Sequence, residues 1–213
     1  MTNAFFPQTL PEKTARLLEQ IRQARPSFIN SFYLSGGTAL SLQLGHRESE
    51  DLDFFSQDSF DPRTLEPELF TFGSLSQTEL AKGTLNTFID SVNLQFLEYP
   101  YDLLEATIDW NGIKLSSIAD IACTKLQTIG MRGSKKDFID LYFLLEKYSL
   151  SELFKLVQKK YPQSDYSQIH ILKSLVYFAD AHHQPMPRMH KEITCWEEVQ
   201  QKMIDVTKSF RFE

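Results

Sequence analysis

Residues 32–55 constrain this chain more than any other stretch. An apolar run, FYLS, stops at Gly36-Gly37; the segment TALSLQL ends at Gly45; a second apolar run, DLDFF, begins at Asp51. This order predicts a strand over 32–35, a sharp turn on two glycines, a helix over 38–44 and a strand over 51–55. Alternate side chains of a strand share a face, so Asp51 and Asp53 point one way and Leu52 and Phe54 the other. Two carboxylates about 7 Å apart on one strand face repel each other and call for a compensating cation. Mg²⁺ takes one or two carboxylates together with substrate phosphates, which answers that need. The glycine pair supplies the complement. Glycines let backbone N–H groups approach a phosphate, the N-terminus of the following helix favours an anion, and Thr38 adds a hydroxyl. Each half alone has a plainer reading, Gly-Gly as a turn and D-x-D as a solvated strand edge. In this order they describe a nucleoside triphosphate held between a backbone cradle and a carboxylate-bound metal.

Around this run the chain falls into two parts. Residues 11–24 read as a helix with Leu17, Leu18 and Ile21 on one side. Asp61-Pro62 reads as a helix start leading into 63–72. Residues 85–89 and 92–97 flank Asp90-Ser91 as a hairpin with a two-residue turn. Beyond Ser117 the pattern is helical throughout, with helices expected over 117–131, 135–148, 151–160, 166–182 and 196–209, and a break at AHHQPMPRMH. The expected architecture is an α/β (α+β) core with a mixed sheet over residues 1–115, followed by a helical domain over 116–213.

A second constellation lies in the helical half. At 100° per residue, Ile118, Ile121, Ala122, Leu126 and Ile129 form an apolar face. Lys125 falls in its middle, Arg132 lies on the same side, and Asp120, Thr124 and Gln127 are expected to face solvent. A lysine centred on a core-facing stripe costs desolvation unless it meets an anion or snorkels to water, so a structural Asp partner is one reading of it. Ser134-x-x-Asp137 has capping-box spacing, and Asp140 points away from the stripe of Phe138, Leu141, Tyr142 and Leu145, a position open to solvent.

Bulk properties bound the function. A formal net charge of -6 argues against a surface that grips nucleic acid throughout, and leaves only Lys125, Arg132, Lys135 and Lys136 as a dense basic cluster. Lys135 and Lys136 are the expected local docking patch if RNA is bound. Cys123 and Cys195 read as free thiols of a reducing compartment. The first residues carry neither a basic region nor an apolar stretch of signal type, and no segment has the ~20 apolar residues of a membrane span. The expected setting is cytoplasmic, with no membrane partner. His182, His183 and His190 lie in a Pro-containing segment that reads as a surface loop rather than a metal site.

The run LSGGTALSLQLGHRESEDLDFF resembles the first motif of polymerase-β-type nucleotidyltransferases, and more closely the GGTAL…GHR.S.DLDFF form of AbiEii/AbiGii-type toxins, whose relatives include the MenT toxins. That resemblance implies a nucleotidyltransferase fold. It places the metal carboxylates on Asp51 and Asp53, with Mg²⁺ or Mn²⁺ as cofactor, and the glycine pair on Gly36 and Gly37. His46 and Arg47 match the GHR, either as structure or as ligand contacts. The run K-LQTI-G-M-R resembles the second motif, K-x4-(S/T)-x-R, with Gly130 in place of Ser/Thr. It implies that Lys125 contacts the nucleotide phosphates, and Arg132 is the expected second phosphate cation. The KKDFIDL run resembles the acidic motif that follows, so Asp137, and less so Asp140, are candidates for the site. Implied as well are an NTP substrate, a tRNA or protein acceptor and a co-encoded antitoxin.

One departure is visible. Polymerase-β-type enzymes commonly take a third metal carboxylate from a later strand, and here VNLQFL offers the amides Asn93 and Gln95. Either two carboxylates suffice, or Asp137 completes the set, or activity has been lost. The rival readings are therefore a nucleotide-sensing domain without catalysis and an interaction protein that uses the fold as a scaffold.

Overall fold

Among the described residues (4–163, 167–193 and 195–212 of a computed structural model), seven strands form one mixed sheet. The chain divides into two compact units, Met1–Ser117 and Ile118–Glu213, and the sheet belongs to the first. Its strands are β1 (Tyr33–Leu34), β2 (Leu52–Ser56), β3 (Leu75–Ala81), β4 (Thr84–Ile89), β5 (Val92–Glu98), β6 (Ile108–Trp110) and β7 (Ile113–Leu115), in the order β3-β4-β5-β2-β1-β7-β6. β2 runs parallel to β5 and β1 parallel to β7; the other neighbours are antiparallel.

Helices α1 (Glu12–Ala24), α2 (Gly36–Leu44) and α3 (Pro62–Leu69) complete this unit. Leu52, Phe54, Leu94, Phe96 and Leu85 are fully buried on one face of the central strands, and α1 adds Leu17, Leu18 and Ile21 to the core. Phe54 and Phe96 stack with ring centroids 5.3 Å apart. Each such side chain, once buried, contributes about 1.5–3 kcal/mol. The β4–β5 turn places Asp90 and Ser91 at φ 49° and 73°, the doubly left-handed geometry that suits a two-residue hairpin loop.

Three differences from the sequence reading have physical causes. Gly36 and Gly37 lie inside the first turn of α2 instead of preceding it. The helix expected over 63–72 ends at Leu69 and tightens into a 3₁₀ turn over Phe70–Phe72, since Pro67 inside it removes a backbone donor. Strands β3, β6 and β7 were not expected. β3 is an exposed edge with a register shift between Ser76 and Glu79 and no apolar alternation to announce it.

The second unit consists of α4 (Ile118–Met131), α5 (Lys135–Leu144), α6 (Leu150–Lys160), α7 (Gln168–Leu175), α8 (Ala179–His182) and α9 (Trp196–Ser209). α6 begins with a full capping box. Glu152 N–H donates to the Ser149 hydroxyl at 3.2 Å while the Glu152 carboxylate accepts from Ser149 N–H at 2.7 Å. The single helix expected over 166–182 is two helices, with residues 164–166 outside the described set. Between them Phe178 turns inward, its ring 5.3 Å from that of Phe138 and 6.0 Å from that of Trp196. The helix expected over 135–148 stops at Leu144 and continues only as turns. No described helix is long and apolar enough to cross a membrane.

Candidate active site

The sheet brings the glycine pair and the D-x-D strand together. β1 is only two residues long, yet it is clamped on both sides, by Phe54 and Phe55 of β2 and by Leu115 of β7. Beyond it the Ser35 N–H donates to the Asp53 carbonyl at 2.8 Å, so the chain enters the turn alongside Asp53. Gly36 then adopts φ +63°, and a Cβ there would collide with the Asp53 carboxylate. Glycine is required on both counts.

Gly37 has a different reason: a Cβ would stand 2.6 Å from Arg47 Nη2 and 3.1 Å from Ser49 Oγ. Arg47 is fully buried and donates through Nη1 to the Glu48 carbonyl at 2.9 Å, and His46 beside it is equally buried. The His46-Arg47 pair is therefore interior, packed behind the turn.

The first-turn N–H groups of α2, at Gly36, Gly37 and Thr38, have no helical carbonyl to bond; intrahelical bonding starts with Ala39 N–H to the Ser35 carbonyl at 3.2 Å. Ser35 stands at the N-cap without capping, because its hydroxyl accepts from the Ser116 hydroxyl at 2.8 Å. That leaves a helix start open to an anion, beside a carboxylate. The Thr38 hydroxyl does not extend this cradle. It is buried and turned onto the Ser49 hydroxyl at 3.0 Å and the Asp51 carbonyl.

The same interior bonding continues along the segment that delivers Asp51. Ser49 N–H donates to the Thr9 carbonyl at 3.0 Å, and the Thr14 hydroxyl donates to the Glu50 carbonyl at 2.8 Å. Thr9 and Thr14 escaped the sequence reading, since a single hydroxyl carries no pattern, and Ser49 entered it only as one position of the family motif. Asp51 and Asp53 themselves are half-buried and alternate with fully buried Leu52 and Phe54. In β5 the residue level with Asp53 is Gln95. Among the described residues no three His, Cys, Asp or Glu side chains form a group that could hold a metal ion. The donors on this sheet face are hard oxygens, two carboxylates with an amide alongside, and they fit Mg²⁺ or Mn²⁺.

The helical unit holds the second constellation. Lys125 is buried, as its place on the apolar stripe requires, and its Nζ lies 2.7 Å from both Asp137 Oδ1 and Asp140 Oδ2. The other Asp137 oxygen accepts from the Ser134 hydroxyl at 2.5 Å, and Ser134 caps α5. Both Asp137 oxygens are thus engaged inside this unit. Two expectations are corrected here. Asp140 is fully buried instead of solvated, because α5 turns it onto Lys125. Asp120 is buried as well and accepts from Lys160 Nζ at 2.6 Å, since α6 covers the side of α4 that the helical wheel left to solvent.

Arg132 is exposed. Lys135 is buried, donating to the His182 carbonyl at 3.2 Å with its Nζ 5.1 Å from the Trp196 ring centre, so Lys135 and Lys136 do not form the expected surface pair. A Cβ at Gly130 would meet Ile171 at an ordinary 3.4 Å, so sterics do not dictate glycine there. Cys123 is buried near the Lys160–Asp120 pair, and burial pushes its thiol up to about 12.

The sequence profile of the family described as "Nucleotidyl transferase AbiEii toxin, Type IV TA system" matches residues 16–74, the segment that contains the glycine turn and both aspartates. An uncharacterized protein of Aquifex aeolicus (strain VF5) is 42% identical over 179 residues, covering 81% of this chain and 84% of that protein. In fold, the chain is similar to the crystal structure of a putative nucleotidyltransferase from H. pylori, with 17% identity, TM-score 0.53 and coverage of 93% and 94% of the two chains. MenT4, a nucleotidyltransferase toxin from Mycobacterium tuberculosis H37Rv, aligns at 14% identity and TM-score 0.49 over 94% of this chain and 87% of its own, a likeness too distant to add weight. On its matched motif and its relative, the chain belongs to the AbiEii nucleotidyltransferase toxin family.

Proposed function

We propose that this protein transfers a nucleoside monophosphate from an NTP to an acceptor, releasing pyrophosphate, and acts as the toxin of a toxin–antitoxin pair. One observation carries the reading. Asp53 lies against Gly36, at the open first turn of α2, so an anion on those amides is beside a carboxylate, and a cation between the two would serve both. The N–H groups of Gly36, Gly37 and Thr38 hold phosphate oxygens, and Asp51 and Asp53 hold Mg²⁺ or Mn²⁺. When bound, the cation neutralises triphosphate charge and helps position the reacting oxygen. The acceptor oxygen bonds to the α-phosphorus as the bond to the β-phosphate oxygen breaks, and the acceptor's proton goes to solvent. In the helical unit this reading assigns phosphate charge to Lys125 and Arg132. Asp137 and Asp140 then position the Lys125 ammonium. The acceptor is tRNA or a protein, and a co-encoded antitoxin is the partner that the family description implies.

Transfer of label from each α-³²P-labelled NTP, with Mg²⁺ or Mn²⁺ and with total RNA or cell extract as acceptor, tests the proposal. Label on either acceptor with wild type, lost with Asp53→Asn, supports it and names the acceptor class. The amide level with Asp53 favours a second reading, a domain that binds nucleotide without turnover. NTP binding with no transfer under any condition would select that reading.

A further inference from the structure

Strand register places a row of polar side chains across three strands. Asp53 of β2 is paired with Gln95 of β5, and Gln95 with Asn86 of β4. The residues flanking them in each strand, Leu52, Phe54, Leu94, Phe96, Leu85 and Thr87, are buried on the opposite face. Asp53, Gln95 and Asn86 are each half-buried and share the face that the Gly36 turn adjoins. Neighbouring strands lie about 4.8 Å apart, so the Gln95 amide is one strand spacing from the Asp53 carboxylate.

We infer that Gln95 is the third oxygen donor of the Asp51/Asp53 cation site, and a neutral one. This rests on the nucleotidyltransferase reading for the cation itself. Asn93 is the other amide on the strand, but its cross-strand neighbour is Phe88, which cannot orient it. Gln95 has Asn86 opposite, at a Cβ separation of about 5 Å, where an amide oxygen can accept from the Gln95 NH₂ group and leave Gln95 Oε1 toward Asp53.

The neutral donor has an electrostatic consequence. A third carboxylate at this position would add like-charge repulsion to a metal-free site that already holds two. With an amide the sheet face tolerates the metal-free state better and binds its cation less tightly. The charge needed for tight binding then arrives with the triphosphate.

The test is Mn²⁺ binding to the full chain, read from the free-Mn²⁺ EPR signal, with thermal unfolding in parallel. Gln95→Glu keeps the length and adds the charge. It is expected to tighten Mn²⁺ binding about tenfold or more, to lower Tm without metal and to raise it above wild type at saturating Mn²⁺. Gln95→Leu is expected to weaken binding several-fold, while Asn93→Leu leaves it unchanged. A purely structural glutamine would not reverse the sign of the Tm change with metal. If both Gln95 variants bind Mn²⁺ like wild type while Asp53→Asn loses it, Gln95 is not a donor and the inference falls. If Asp53→Asn also binds like wild type, the cation site and the reading beneath it fall together.

Discussion

In the helical unit, the carboxylates of Asp120, Asp137 and Asp140 sit at 3%, 8% and 0% side-chain exposure, each 2.6 or 2.7 Å from a lysine ammonium. In the first unit, Asp51 just before β2 and Asp53 within it stay half-buried, and Asp53 lies beside a left-handed glycine and level with an amide. The sequence mirrors the contrast. Its first 117 residues hold 8 Lys+Arg against 16 Asp+Glu, and the remaining 96 hold 14 against 12. A carboxylate met by a lysine from its own unit belongs to the fold. A carboxylate pair beside the open amides of a helix start is placed where the charge of a ligand can join it.

The largest expected effect breaks the sheet side of that contrast. Asp53→Asn should lower transfer by about 10²–10³-fold or more, the scale of losing one electrostatic group from an active site, with a Tm near wild type. Label transfer beside a thermal melt checks both halves. If the variant unfolds, Asp53 belongs with the helical carboxylates.

On the helical side, Lys125→Ala leaves two buried carboxylates without their cation and should cost about 3–5 kcal/mol, read as a drop in the urea midpoint. Lys160→Ala should cost a similar amount through Asp120. Lost activity in Lys125→Ala therefore says nothing by itself about catalysis. Lys125→Arg, which keeps the charge, sharpens the comparison if it folds and yet fails to transfer.

Gly36→Ala should destabilise by about 1–3 kcal/mol, through its left-handed φ and its collision with Asp53, and should reduce NTP binding in a titration. A smaller effect separates the two cysteines. Cys195 is exposed and should react with iodoacetamide at pH 8, whereas Cys123 should react only on unfolding. Burial raises the Cys123 thiol to about 12, so its neutral form is favoured by the fold. That contribution is complete below the unfolded thiol pKa of about 8.5 and is lost as pH rises toward 12. The smallest effect belongs to the α6 cap. Bonds from the Ser149 N–H and hydroxyl hold the Glu152 carboxyl below its usual range. Its support for the helix start is present above about pH 4.3 and fades as pH falls through the lowered value. Hydrogen exchange at the first turn of α6 should show it.

Much of the site was legible because it depends on chemically distinctive residues in order. The two glycines between apolar runs, and the D-x-D on a strand, fix their own local geometry. The hairpin around Asp90-Ser91 and α9 over Trp196–Ser209 were equally plain, since their periodicity is complete within one segment. What sequence could not give were contacts between segments. The burial of Asp120 depends on α6 lying over α4, and that of Asp140 on Lys125 coming from another helix. The role of Thr38 depends on Ser49 and Asp51 passing beneath it. β3 was hidden for the opposite reason, because an exposed edge strand needs no apolar alternation.

The stitching of residues 46–51 by Thr9, Thr14 and Thr38 has a consequence for anyone altering this protein. A reporter or affinity tag spliced into that connection would have to pull apart hydrogen bonds from three separate parts of the chain. It would move Asp51 with them. The β3–β4 turn is exposed at Ala81 and Lys82, and its backbone tie, from Glu98 N–H to the Gly83 carbonyl, runs to β5 and not to the carboxylate strand. It is the place to splice in added sequence while keeping the glycine turn and its aspartates in register.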